Sequence, residues 1–126
     1  MKLKHFNYFE FDSPDVQGSG QLMSEKLLKI LDNVREVYGK PIVINSGYRT
    51  EAHNAKVGGK MPDANGIGGS SHLKGLAVDI QCTTSQDRHN LIQLFMLHNI
   101  SRIGIASTFI HIDVDDSKAQ RVIWTY

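Results

Sequence analysis
The stretch that most restricts this chain is Leu76-Ala77-Val78-Asp79-Ile80, an aliphatic run with a carboxylate inside it. Side chains of a strand alternate between two faces, so Leu76, Val78 and Ile80 are set toward a core and Ala77 and Asp79 away from it. A charge carried into such a run costs free energy unless a partner neutralises it. A second run repeats the pattern. In residues 109–115, Ile110, Ile112 and Val114 share one face, and His111, Asp113 and Asp115 the other. With both strands in one sheet and their aliphatic faces on the same helices, Asp79, His111 and Asp113 necessarily share the open face. His72, at the end of the loop before the first strand, is placed to reach over it. Asp115 and Asp116 fall where the second strand should be ending and are expected in solvent.

The remaining segments supply the layers. Residues 21–39 place Leu22, Leu27, Ile30, Leu31, Val34 and Tyr38 at helical spacing, and Gly39 with Pro41 ends the run. Residues 85–100 form a second amphipathic helix carrying Leu91, Leu94, Phe95 and Leu97. Residues 41–46 read as a short strand, 50–58 as a brief helix capped by Thr50 and stopped by Gly58, and 102–107 and 121–126 as further strands. The glycine-rich residues 58–70 are a loop that matches no phosphate-binding pattern. Residues 1–20, broken by Ser13-Pro14 and Gly18-Ser19-Gly20, read as an extended lead-in. Helices in front and strands behind predict a single α+β domain over residues 1–126. Its sheet is expected to be mostly antiparallel and backed by two helices, with the polar site on the open face.

Composition closes several other routes. The net charge is +1, with Lys and Arg scattered, so no field favours nucleic acid or an anionic membrane. No segment approaches transmembrane length, and the start lacks the apolar run of a secretory signal. The chain is therefore expected to be made in the cytoplasm without an address of its own, and to act as a monomer. Cys82 is the only cysteine, which excludes an intrachain disulfide and a Cys-rich metal centre, and it is expected as a small buried hydrophobe. His53, His89 and His98 are assigned to the surface. Trp124 and Tyr126 are read as sheet-packing residues rather than walls of a groove.

Two neutral imidazoles and one carboxylate are the ligand set of a catalytic zinc that keeps one position open. A water in that position has its pKa lowered to about 7 and becomes a nucleophile at neutral pH. Such a dication would account for Asp79, and Gly75 and Ala77 would leave space beside it. From the residues alone, a salt bridge from Asp79 to a lysine and a surface position for His72 remain alternatives.

The segment Ser70-Ser71-His72-Leu73-Lys74-Gly75-Leu76-Ala77-Val78-Asp79 resembles the Ser-x-His-x-x-Gly-x-Ala-x-Asp motif of the M15 family of zinc peptidases. Ser46-Gly47-Tyr48-Arg49 resembles that family's upstream element, and residues 109–114 resemble its C-terminal histidine strand. The family includes D-alanyl-D-alanine carboxypeptidases, dipeptidases and phage endolysins that cut L-alanyl-D-glutamate bonds. The resemblance implies zinc as cofactor, held by His72, Asp79 and His111. It implies Arg49 as the group that grips substrate and steadies the charged tetrahedral intermediate, and Ser70 as a substrate hydrogen-bonding residue. Its implied partner is the stem peptide of bacterial peptidoglycan, cut as a D,D-carboxypeptidase or an endopeptidase. One position departs from the pattern. Many members carry a glutamate base three residues before the last histidine, where this chain has Thr108. Asp113, the nearest acid on the proper face, is therefore read as the base. Because the hedgehog signalling domain shares this metal framework, the alternative is a catalytically inactive, zinc-containing module that binds cell wall or protein. Without a targeting segment, a phage or prophage origin is expected, with release through a separate membrane lesion.

Overall fold
The computed structural model describes residues 2–126. Its elements run in the order α1 (Glu25–Tyr38), β1 (Ile44–Ser46), α2 (Glu51–Lys56), β2 (Ala77–Gln81), α3 (Ser85–Leu97), β3 (Arg102–Ile105), β4 (Phe109–Asp113) and β5 (Val122–Thr125). Short 3-10 turns occupy Tyr8–Phe11, Ser19–Leu22 and Ser71–Lys74. Each α-helix starts at a hydroxyl cap. Ser24, Thr50 and Thr84 accept from the backbone N–H groups of Leu27, His53 and Asp87, donors that a helix start leaves unpaired.

The strands form one sheet in the order β1-β2-β4-β3-β5. Every pair is antiparallel except β3 and β5, so the α+β architecture holds with a mixed sheet. The exception follows from the connections. The end of β4 at Asp113 lies opposite the start of β3 at Arg102, so a short link that crosses to the free edge of β3 must then run parallel to it. One sheet face, carrying Val78, Ile80, Ile103, Ile110 and Ile112, joins a core with Leu27, Leu28, Leu31, Val34, Leu91 and Phe95 of the helices. Cys82 is buried among them as a free thiol. Leu97 departs from the expected helix face and is exposed. It stands two residues past Phe95, about 200° around the helix.

One expectation is corrected. The lead-in is not extended. It coils through two 3-10 turns and sends Leu3, Phe6 and Phe11 into the core. Carboxylates replace the missing ladder: Asp32 accepts from the N–H groups of Lys4 and His5 at 2.9 Å each, and Asp12 from those of Gly18 and Gly20 at 3.0 and 2.7 Å. The polar face of the sheet carries the site as expected, but His72, Asp79, His111 and Asp113 are all less than a tenth exposed there. Among the described residues, no helix is long and apolar enough to cross a membrane.

Candidate metal centre and its cleft
Register builds the site from one row of the sheet. Ser46 pairs with Asp79, Asp79 with His111, His111 with Gly104, and Gly104 with Trp124, so five strands place these residues side by side. Directly opposed residues share a face. Asp79 and His111 therefore meet as the sequence pattern requires, and Nδ1 of His111 lies 2.9 Å from Oδ1 of Asp79. The indole of Trp124 covers the row, 5.4 Å from the His111 ring, and Gly104 makes room for it. A Cβ at Gly104 would come within 2.7 Å of that indole.

His72 reaches the row from the Ser71–Lys74 turn. Ser70 caps this turn by accepting from the His72 N–H at 3.3 Å. Gly75 closes it with a φ of 70°, and a Cβ there would sit 2.3 Å from the Leu22 carbonyl oxygen. The glycine thus serves a left-handed turn against the lead-in, rather than space beside an ion. The upstream Ser-Gly-Tyr-Arg segment interlocks with the same turn. The Arg49 N–H donates to the His72 carbonyl at 3.1 Å, and Nδ1 of His72 lies 2.8 Å from the Gly47 carbonyl oxygen.

These contacts fix the chemistry of the donor set. A carbonyl oxygen only accepts, so Nδ1 of His72 carries a proton and Nε2 is the ring atom left to hold a metal. That Nε2 is buried without a hydrogen-bond partner, 3.3 Å from Oδ1 of Asp79. A cation between them would pair with both. One ligand atom from each of His72, Asp79 and His111 falls within 4.8 Å of the others, which fits a single small metal ion. Burial disfavours the charged form of Asp79, but the contacts of His111 and His72 outweigh it and hold the carboxyl well below its usual range.

Arg49 flanks the centre. Its Nη2 lies 3.3 Å from Oδ2 of Asp79, its Nε donates to Ser46 Oγ at 3.0 Å, and its Nη1 to Asn54 Oδ1 at 3.1 Å. Asn54 was not singled out by any spacing in the sequence. It is fully buried and also donates to the Lys60 carbonyl, tying Arg49 to the base of the glycine loop. Burial draws the guanidinium down from its usual pKa against the pull of Asp79.

Asp113 lies behind His111 rather than in front of it. Its Oδ2 is 2.7 Å from Nε2 of His111, and its Oδ1 accepts from Arg102 Nε at 2.7 Å and the Asp115 N–H at 3.1 Å. Burial raises its pKa, yet the His111 bond prevails and holds it below the ordinary carboxylate value. Arg102 in turn stacks on Trp124, its guanidinium carbon 5.0 Å from the ring centre. Asp115, expected in solvent, is buried and accepts from Ser71 Oγ at 2.7 Å and Ser117 Oγ at 2.6 Å. It continues the alternation of β4 and pins the histidine turn to the end of that strand.

A cleft of about 340 Å³ opens over the centre. Arg49, Val57, Gly58, Gly59, Lys60, Ser70, His72, Asp79, Phe109, His111 and Tyr126 line it. Asp113, expected as the base, is not among the residues that line it. Tyr126 is, against the expectation that it only packs on the sheet. His53 lies elsewhere, in a shallow hollow with Pro14 and Asp15.

A family model described as Peptidase M15 matches residues 4–113. No protein with a curated description matches the chain. The matched region carries every strand of the sheet but β5, together with His72, Asp79 and His111. With that much of its length matched, this chain belongs to the M15 peptidase family.

Proposed function
We propose that this chain is a zinc-dependent peptidase acting on the peptide stems of bacterial peptidoglycan. The observation that carries the reading is the buried, partnerless Nε2 of His72, aimed with Nδ1 of His111 at one oxygen of Asp79. A zinc held by these three atoms would supply Lewis acidity and a water acidic enough to attack near neutral pH.

The side chains around the centre divide the remaining work. Arg49 brings a permanent charge to the cleft and is suited to hold the scissile carbonyl oxygen as that oxygen becomes anionic. Lys60 adds a second cation, and Asp79 is the sole carboxylate among the described residues lining the cleft. This balance favours a substrate with a free carboxylate beside the cleaved bond, as peptide stems ending in D-alanine or carrying D-glutamate provide. Ser70 holds the histidine turn and presents its hydroxyl at the cleft. Asp113 is a positioning residue here. It accepts the Nε2 proton of His111 and so turns the Nδ1 lone pair toward Asp79. A phage or prophage setting, with the product released to reach the wall, belongs to the same reading.

Purified peptidoglycan fragments incubated with the zinc-loaded protein and resolved by mass spectrometry test it. Loss of terminal D-alanine or scission within the stem is expected, abolished by chelator and by His72→Ala. One observation favours a second reading. Among the described residues, the cleft is lined by no acidic side chain beyond Asp79 to take a proton, which suits a module that holds zinc and binds without turnover. Fragments bound by the zinc-loaded protein yet left intact would establish that module instead.

A further inference from the structure
We propose that the phenol of Tyr126 is a hydrogen-bond donor to the carbonyl oxygen at the cleaved bond, working beside Arg49. The inference rests on the peptidase reading above and adds a residue beyond the segment that the family model matches.

Placement comes first. Tyr126 lines the cleft with Arg49, His72 and His111. Its backbone extends the pairing of β5 with β3, the N–H donating to the Ile105 carbonyl at 3.3 Å. Alternation then puts Tyr126 on the same face as Trp124, the face of the metal centre.

Packing comes next. The tyrosine is 69% exposed, yet its ring meets Phe109 at 5.1 Å between centres, tilted by 58°. Its edge rests on Gly104, where a Cβ would approach Tyr126 Cε1 to 2.9 Å. A side chain at position 104 would therefore push away both aromatic rings.

A neutral phenol carries a proton that it can donate. A donor at the cleft, placed where negative charge develops, is the arrangement that stabilises a tetrahedral oxyanion.

The test uses the zinc-loaded full chain and a phosphinate dipeptide, whose tetrahedral anionic group imitates the oxyanion. Tyr126→Phe is expected to weaken phosphinate affinity roughly ten- to a hundred-fold, and to lower kcat in step without raising KM. Zinc affinity and melting temperature are expected to stay at wild-type values, since only a hydroxyl is removed. Phosphinate affinity unchanged in Tyr126→Phe would overturn the inference and leave the peptidase reading standing. A fall in zinc affinity would overturn it too, by assigning the tyrosine to the metal centre. A wild-type protein that binds zinc but neither cleaves stems nor holds the phosphinate would remove both.

Discussion

Asp113 is the residue whose meaning changed most between sequence and structure. Its place two residues after His111 puts both side chains on one face of β4, which the sequence shows. Which of them lines the cleft is set by the neighbouring strand. Arg102 of β3 lies opposite Asp113 and holds Oδ1 at 2.7 Å, leaving Oδ2 for the imidazole. An outer carboxylate that fixes the tautomer of a ligating histidine typically changes metal affinity by about ten- to a hundred-fold when lost. Asp113→Asn is thus expected to weaken zinc binding by about ten-fold or more, as read by competition with a chromogenic chelator. A base would behave differently, losing turnover with zinc affinity intact.

At the scale of elements, the lead-in is fastened to α1 by charge as well as by its aromatics. Glu36 accepts from Lys4 Nζ at 2.8 Å and pairs with Nε2 of His5. The hydrogen bonds from Lys4 and then His5 lower its pKa from 4.5 to about 2. Because the folded value is the lower one, the contribution of Glu36 to stability is complete above pH 4.5 and is lost as pH falls through about 2. The stability gap between wild type and Glu36→Gln should therefore close across that acid window in denaturant titrations. It should also shrink in high salt, since the pair is exposed. The sequence hid this attachment because its partners lie about thirty residues apart and obey no local spacing. Helix starts are nearer to local pattern, since the caps at Ser24, Thr50 and Thr84 act over three residues, although only Thr50 was read as a cap and α1 begins at Glu25 rather than at residue 21.

For the whole molecule, the centre joins β2, β4 and the Ser71–Lys74 turn, so an ion bound there ties together segments far apart in the chain. An ion that binds only the folded state stabilises it by mass action, by about 4 kcal/mol when free metal exceeds Kd a thousand-fold. Zinc is expected to raise the melting temperature and a chelator to reverse the rise. His72→Ala should melt at one temperature with or without zinc. Calorimetry at fixed protein concentration reads all three. The opposite sheet face packs on α1 and α3 without reference to the centre, so the metal-free protein is expected to remain folded.

Period-two alternation in residues 76–80 and 109–115 was enough, by itself, to put Asp79 and His111 on one face and the isoleucines on the other, because a strand leaves its side chains no other choice. Local capping chemistry likewise set where the helices begin. Only the tertiary structure decided how the segments interlock: the Gly47 carbonyl on His72, Arg102 on Asp113, Trp124 and Tyr126 across Gly104, and Ser71 on Asp115. Those pairings join residues far apart in the chain, and their partners are chosen by register and by the parallel return of β5. No local pattern records either choice.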